Sequence, residues 1–91
     1  MDESVSIFRM PVSHVFLVPR GTVLLGTVET GVVHVGDIME IIEVEGGERW
    51  ACYVRGIEVY RKDVAEGKAG EQVGVFVDGV DYRQIPRACI L

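Results

Sequence analysis

Residues 20–31 read Arg-Gly-Thr-Val-Leu-Leu-Gly-Thr-Val-Glu-Thr-Gly, and this stretch decides the fold class. A turn signal, Pro19-Arg20-Gly21, leads into it, and Thr30-Gly31 ends it. Glycine and proline mark turns, whereas β-branched residues between them fit a pleated strand. We therefore predict a strand over residues 22–29.

The same alternation of turns and apolar stretches continues in both directions, which is typical of a β-sandwich or β-barrel. Valine and isoleucine account for 24 of the 91 residues, and leucine and alanine for 8, so the composition indicates an all-β fold. Gly46-Gly47 predicts a two-residue hairpin. Further strands are predicted over residues 5–18 (bent at Pro11), 32–35, 38–45, 48–62, 72–78 and 88–91, with a polar loop over 63–71 and one helical turn over 81–85.

Length and charge limit the class of protein. A chain of 91 residues predicts one domain, residues 1–91, with a single core. A net charge of −5 argues against a non-specific nucleic-acid binder but allows a local basic patch. No apolar run reaches membrane-helix length, and the acidic start Met-Asp-Glu-Ser is not a secretory signal. We expect a cytoplasmic protein with no membrane partner.

The two cysteines, Cys52 and Cys89, lie far apart in the sequence. In a reducing cytosol two buried thiols are expected. A Cys52–Cys89 disulfide is the alternative.

In the predicted strand over residues 48–62, the apolar residues shift from even to odd positions after Val54. A bulge at Gly56 reconciles its two apolar halves, because one extra residue flips the register. The residues then expected inside are Trp50, Cys52, Val54, Ile57 and Val59, with Val15, Leu17, Val73, Val75 and Val77 from other strands. The residues expected outside are Arg49, Tyr53, Arg55, Glu58 and Tyr60, with His14, Phe16 and Phe76.

Aromatic residues on the outer face, namely Phe16, Tyr60 and Phe76, have two interpretations. They lie beneath a loop or at a barrel rim, or they form a recognition surface, because clustered exposed aromatics mark binding sites. We expect them on one side of the barrel, in a shallow patch.

Catalytic motifs are missing from the sequence. Gly67-Lys68 is followed by Ala69, so there is no phosphate loop, and no nucleophile elbow occurs. Neither His14 nor His34 has metal-ligand spacing. Ser13 and His14 are neighbours on a strand and are expected to point to opposite faces, which excludes a nucleophile–base pair. No catalytic residue, metal, cofactor or enzymatic activity is predicted.

Several motifs together carry a family resemblance. Residues 20–31 fit the pattern R-G-T-V-x-x-G-x-V-x-x-G, and Val35-Gly36-Asp37 follows it. Other matching segments are Met10-Pro11, Val15-Phe16, Gly-Ile-Glu-Val-Tyr-Arg-Lys at 56–62 and Glu-Gly-Lys-Ala-Gly-Glu-Gln-Val-Gly-Val at 66–75. From Phe8 to Leu91 the chain resembles the second domain of elongation factor Tu and its translational GTPase relatives. That resemblance implies a closed antiparallel β-barrel of about six strands.

The resemblance also implies a site. In elongation factor Tu this domain helps to hold the aminoacylated 3′ end of transfer RNA, and the family's glutamate lies against the terminal adenine. Glu58 stands at that position, Phe16 matches the family's phenylalanine, and Gln72 and Tyr60 replace its asparagine and second aromatic. Ser13-His14 replaces the family's acidic pair, which puts recognition of an α-amino group in doubt. The turn before Gly21 is one residue shorter.

The leading hypothesis is a free-standing, non-catalytic module that binds an RNA 3′ end, such as the transfer RNA acceptor end, or another translation component. The expected contacts are Phe16, Glu58, Tyr60, Gln72 and Phe76, with Arg20 and Arg55 near phosphates. One alternative is a protein–protein interaction module that has lost RNA binding. Another is a fragment of a larger translational GTPase, which the initial methionine and the strand ending at Leu91 make the less expected case. GTP binding is not expected, because the sequence has no GTPase domain.

Overall fold

The structure is a computed structural model that describes residues 7–86 and 88–91. Residues 5 and 6 of the first predicted strand lie outside the described residues. The described part contains a short 3₁₀ turn, Tyr82–Gln84, and these strands: β1 Pro11–Val18, β2 Gly21–Thr27, β3 Val32–His34, β4 Ile38–Glu43, β5 Arg49–Val59, β6 Lys62–Val64, β7 Glu66–Lys68, β8 Gln72–Asp78 and β9 Cys89–Ile90.

Six strands close into an antiparallel barrel in the order β1, β2, β8, β5, β4, β9 and back to β1. This confirms the predicted fold. Closure leaves no free edge along the ring, which suits a domain too small to cover exposed edges with other elements. β6 extends the sheet from β5, and β3 and β7 form a separate two-stranded sheet. Among the described residues no helix is long and apolar enough to cross a membrane.

The barrel interior is filled by aliphatic side chains at alternate positions. Most residues predicted to point inward are buried, namely Cys52, Val54, Ile57, Val73, Val75 and Val77. Cys52 and Cys89 are two free, buried thiols. Trp50 and Val59 are only half-buried, and Leu17 is 64% exposed. The prediction that Leu17 points into the core is therefore wrong; Leu17 is the second-last residue of β1, beside the β1–β2 turn.

The predicted bulge is present in β5. Val54 pairs with Val77 of β8, and Gly56, two residues later, pairs with Phe76, the immediate neighbour of Val77. Arg55 is therefore the extra residue. The bulge reverses the parity of β5 and lets both Val54 and Ile57 point into the barrel.

The predicted strand over residues 48–62 is too long. β5 ends at Val59, and Tyr60 and Arg61 form a tight turn with φ values of 51° and 64°. Val59 pairs with Lys62, so Tyr60 and Arg61 between them make a two-residue hairpin turn of the type in which both positions need positive φ. The turn lacks the glycine or asparagine that normally signals it. The predicted polar loop over residues 63–71 contains most of β6 and all of β7.

The first predicted strand begins at residue 5, whereas β1 begins at Pro11, and Arg9 before it forms only an isolated bridge with Thr30. The remaining strand ends differ by one or two residues from the prediction. β2 ends at Thr27, which pairs with Gln72 of β8, and the N–H of Val28 donates to the carbonyl of Glu71 at 2.9 Å just before β8. β4 ends at Glu43, whose N–H donates to the carbonyl of Glu48 at 2.8 Å. The β4–β5 connection is thus a five-residue loop, residues 44–48, rather than the two-residue hairpin predicted at Gly46-Gly47.

The single helical turn predicted over residues 81–85 is confirmed. It is a 3₁₀ turn over Tyr82–Gln84, with Asp81 as its N-cap. The Asp81 carboxylate accepts a hydrogen bond from the backbone N–H of Arg83 at 2.8 Å. A capping aspartate before a short polar run is a local signal, so the sequence pattern was sufficient here.

Candidate functional site

A row of residues crosses four strands on the outside of the barrel. Phe16 of β1 lies opposite Val23 of β2, Val23 lies opposite Phe76 of β8, and Phe76 lies opposite Gly56 of β5. Residues directly opposite each other in a sheet point to the same side. Phe16 and Phe76 therefore share one side of the barrel, as expected from their parity.

A second row runs beside the first. It contains His14, Leu25, Gly74 and Glu58, paired in that order across β1, β2, β8 and β5. Gln72 lies two residues before Gly74 on β8 and so projects to the same side. These two rows, together with Gln72, are called the outer face below. The alternation of apolar residues along β1 and β8 predicted which residues lie on this face, because both strands are regular at these positions.

Phe76 is the main difference from expectation. Its side chain points outward as predicted, but the residue is only 3% exposed. The guanidinium carbon of Arg20 lies 4.3 Å from the centre of its ring, and that of Arg55 lies 5.7 Å away. Two cations over an aromatic face interact with its negative quadrupole and shield it from water. The prediction that Phe76 is part of an exposed patch is therefore wrong, because two arginines cover the ring.

Arg20 connects Phe76 to the carboxylates on this face. Its Nη1 donates to Glu58 Oε2 at 2.7 Å and lies 3.4 Å from Asp63 Oδ1. The turn between β1 and β2 carries Arg20, whereas Glu58 is near the end of β5 and Asp63 is in β6. Glu58 is thus a half-buried carboxylate that already has a cationic partner.

Arg55 has a different set of contacts. Its Nε donates to Asp78 Oδ1 at 3.0 Å, and its Nη2 donates to the backbone carbonyl of Arg20. A Cβ at Gly21 would collide with this guanidinium, and Gly21 also has a φ of 122°. Glycine at position 21 allows Arg55 to lie against the turn. The donors of Arg55 thus support the β1–β2 turn, and its expected position near phosphates stays a prediction.

Phe16 is the exposed aromatic of the outer face, at 45%. The ring of His14 stacks on it, with centroids 5.7 Å apart and an interplanar angle of 8°. Stacking of this kind holds both rings parallel to each other and leaves flat apolar surface open to solvent. The sequence did not predict this pair.

Ser13 and His14 are closer than predicted. The His14 Nδ1 lies 3.2 Å from the Ser13 Oγ, because the β1–β2 register shifts between Val12 and His14 and the two neighbours no longer point apart. The Ser13 hydroxyl donates to the carbonyl of Leu25 at 3.0 Å. Its single proton is used in that bond, so His14 donates to Ser13 rather than accepting from it. The geometry does not activate Ser13 as a nucleophile.

Tyr60 and Gln72 lie at the margins of this arrangement. Tyr60 is 91% exposed at the tip of the β5–β6 turn. Gln72 is exposed at the start of β8. Contacts join Phe76, Glu58, Arg20 and Arg55 into one cluster. Phe16 shares the outer face with this cluster but stacks on His14, and Tyr60 and Gln72 lie outside the cluster. Asp63 and Asp78, which sequence reasoning missed, belong to the cluster as partners of the two arginines, and no local pattern identifies them.

A cleft of about 460 Å³ lies beside the outer face, between β1 and the 3₁₀ turn. Ser13, His14, Tyr82 and Arg83 contribute its polar atoms. The Arg83 side chain hydrogen-bonds the Asp81 carboxylate, which holds the pKa of Asp81 below its usual range. Arg83 thus forms an exposed ion pair with Asp81, with 85% of its side chain accessible to solvent. No cluster of metal-ligating side chains occurs within residues 7–86 and 88–91.

The closed barrel and the cluster on its outer face define a β-barrel domain of the translation-factor type. The sequence profile of the family described as elongation factor Tu domain 2 matches residues 21–91. The chain therefore belongs to the elongation factor Tu domain 2 family, as the motifs suggested.

Among solved structures, the chain is similar to translation elongation factor SelB from Methanococcus maripaludis in its apo form. The two share 38% sequence identity with a TM-score of 0.78, over 91% of this chain. The match covers 17% of the SelB chain, so this chain corresponds to a small part of that protein's length.

Proposed function

We propose that this chain is a non-catalytic binding module that acts with the translation apparatus, and that its outer face binds an unpaired RNA end such as the acceptor end of transfer RNA. One observation carries the proposal: Glu58, Phe16 and Phe76 share one side of the barrel, on paired strands. Membership of the family supports the translation context.

The chemistry of the outer face fits a nucleobase better than a phosphate chain. Phe16 and His14 offer a flat, partly exposed surface, and bases stack on such rings with about 1–3 kcal/mol each. The Glu58 carboxylate accepts N–H donors, which the amino edges of adenine and cytosine provide. Phosphate contacts contribute less here, because both arginines of the cluster already pair with carboxylates.

The test is binding of a fluorescent oligonucleotide ending in CCA, measured by anisotropy at low salt. Phe16→Ala and Glu58→Gln are expected to weaken binding, and the salt dependence is expected to be mild because few counterions are released. Ile38→Ala is the matched control, since Ile38 is 78% exposed on β4, which is opposite β2 in the barrel. Absence of binding by the wild-type protein at low salt contradicts the proposal.

A protein partner is the second candidate. The net charge of −5 and the half-exposed ring of Phe16 favour it. The two candidates separate in a pull-down from lysate with and without ribonuclease. If the oligonucleotide does not bind and Phe16→Ala abolishes capture of a partner after ribonuclease treatment, the outer face is a protein-interaction surface. Loss of capture upon ribonuclease treatment instead supports RNA.

The proposal includes the absence of catalysis. The sequence contains no phosphate loop, so the purified chain is expected neither to bind nor to hydrolyse GTP. Isothermal titration calorimetry with GTP and Mg²⁺ tests this, and a micromolar affinity contradicts it. The proposed cytoplasmic location and free-standing state are tested by immunoblotting fractionated cells for a species of 10.1 kDa, since a larger product indicates a fragment of a longer translational GTPase.

A further inference from the structure

A guanidinium already stacks on Phe76, the second phenylalanine of the outer face. The Arg20 guanidinium lies 4.3 Å from the Phe76 ring centre and donates to Glu58 at 2.7 Å. It is planar and presents N–H donors along one edge, as the amino edge of a nucleobase does. The aromatic face and the carboxylate of this site therefore both have a partner within the chain.

The contacts of Arg20 are of the kind that a ligand can replace. Its side chain is 49% exposed, and so its pairs with Glu58 and Asp63 are exposed ion pairs that contribute little to stability. Arg55 is the more enclosed of the two, with 34% of its side chain exposed. It donates to Asp78 and to a backbone carbonyl, so its position is tied to the β1–β2 turn. Arg20 is thus the movable cation, and Arg55 supports the turn that carries it.

We propose that Arg20 is the specificity-determining residue of this face: its guanidinium is the resident occupant of the site formed by Glu58 and Phe76, and a ligand binds by displacing it. The choice of an RNA end as the ligand rests on the proposed function, whereas the contacts of Arg20 with Phe76 and Glu58 do not depend on that function. A ligand must replace the stacking on Phe76 and the hydrogen bond to Glu58 together. Planar groups with N–H donors on one edge satisfy both, and groups without such donors leave the carboxylate unpaired.

Displacement has a quantitative consequence. When only a fraction of the molecules has an open site, the apparent affinity falls by that fraction, so an open fraction of about one tenth weakens binding about tenfold. Removing the occupant restores the affinity of the open site. The opposite change in affinity is expected if Arg20 attracts RNA phosphates. Its loss then weakens binding, and the slope of the logarithm of the binding constant against the logarithm of the salt concentration decreases by about 1.

The first experiment measures binding of the CCA-ended oligonucleotide to three variants. Arg20→Ala is expected to bind about tenfold more tightly than the wild type. Arg20→Lys keeps the charge but lacks the planar fork, so it is also expected to bind more tightly. Arg49→Ala is the matched control, because Arg49 forms a similar exposed pair with Glu40 at 2.8 Å and lies outside the cluster. Weaker binding by Arg20→Ala, with wild-type affinity in Arg20→Lys, overturns the proposal in favour of phosphate attraction.

The second experiment needs no RNA. Methylguanidinium is titrated into wild-type and Arg20→Ala protein while the Phe76 ring and the Glu58 amide are followed by NMR. The variant is expected to show saturable shifts at both residues in the millimolar range, and the wild type none of them. Equal responses in the two proteins, or no response in either, overturn the proposal.

The two experiments separate the two ideas. If neither the wild type nor any variant binds the oligonucleotide, but methylguanidinium binds Arg20→Ala, the proposed RNA function fails and Arg20 remains the resident occupant of the site. If the oligonucleotide binds the wild type and Arg20→Ala equally, and methylguanidinium has no effect on either, the proposed function stands and the role of Arg20 is wrong.

Discussion

Val75 lies directly opposite Ile57 in the β5–β8 pair, and the two residues are 0% and 1% exposed. The β5 bulge makes this contact possible, because without it Ile57 would point to solvent. The pair therefore reports on both the register and the packing of the barrel.

Shortening Val75 is expected to destabilise the barrel. Val75→Ala removes buried methyl groups and leaves a small cavity, so the free energy of unfolding should fall by about 1–3 kcal/mol. Chemical denaturation monitored by Trp50 fluorescence measures this change. Val44→Ala is the control, since Val44 is 56% exposed in the β4–β5 loop and its truncation should have little effect. A midpoint unchanged in Val75→Ala would mean that the β8 register is wrong.

Gly26 allows β1 and β2 to approach closely. A Cβ at this position would collide with the carbonyl oxygen of Pro11 and lie 3.0 Å from the Met10 side chain. Gly26→Ala is therefore expected to lower the free energy of unfolding by about 1–3 kcal/mol through overpacking. Gly56→Ala is the matched control, because the nearest atoms to its Cβ lie 3.8 Å away. Equal effects of the two substitutions in thermal denaturation would contradict this account.

The β5–β6 turn is strained by its residues. Tyr60 and Arg61 have φ values of 51° and 64°, in a region that side chains with a Cβ rarely occupy. Arg61→Gly removes that strain but increases the freedom of the unfolded chain, and the net stabilisation is expected to be about 0.5–1 kcal/mol. Lys62→Gly, at the first residue of β6, should instead destabilise the protein. Melting temperatures of the two variants that shift in the same direction would show that the turn is not strained.

Burial raises the pKa of the Cys52 thiol to about 11, and it also raises the pKa of Cys89. At pH 8 the folded Cys52 has roughly a hundredfold less thiolate than an exposed thiol with a pKa of 9.0, so labelling by a thiol reagent should slow accordingly. Because the folded pKa lies above the unfolded value, this group stabilises the fold fully below pH 9 and less as the pH rises towards 11. Cys89→Ala leaves Cys52 alone for measurement. Fast labelling of the native variant at pH 8, at the rate of the unfolded chain, would contradict its burial.

Local signals were sufficient to predict most of the strands, whereas the closed barrel was implied by the family resemblance, because the strand pattern alone fits a sandwich or a barrel. β8 matches its predicted bounds, since Val73, Val75 and Val77 alternate over its whole length with residues that point to the other face. The bulge was predictable from the parity change around Gly56. The β5–β6 turn was not, because neither Tyr60 nor Arg61 belongs to the residue types that favour positive φ.

The candidate site was predictable in part for the same reason. Alternation identifies which way a side chain points, and so Phe16 and Phe76 were correctly assigned to the outside. Alternation does not report what covers a side chain once it points outward. The exposure of Phe16 and the burial of Phe76 therefore differ, although their strands give the same local pattern.

Local sequence patterns were enough to predict the all-β class and the side of the sheet on which most of the strand side chains lie. These depend on backbone geometry with a period of two, which neighbouring residues encode. The folded barrel was needed to show that Arg20 and Arg55 cover Phe76 and that Arg20 pairs with Glu58. Those contacts join residues far apart in the chain, and they depend on barrel closure and on the bulge that brings β5 alongside β8. Side-chain contacts across a closed barrel leave no local trace, because each partner is an ordinary surface residue in its own strand or turn.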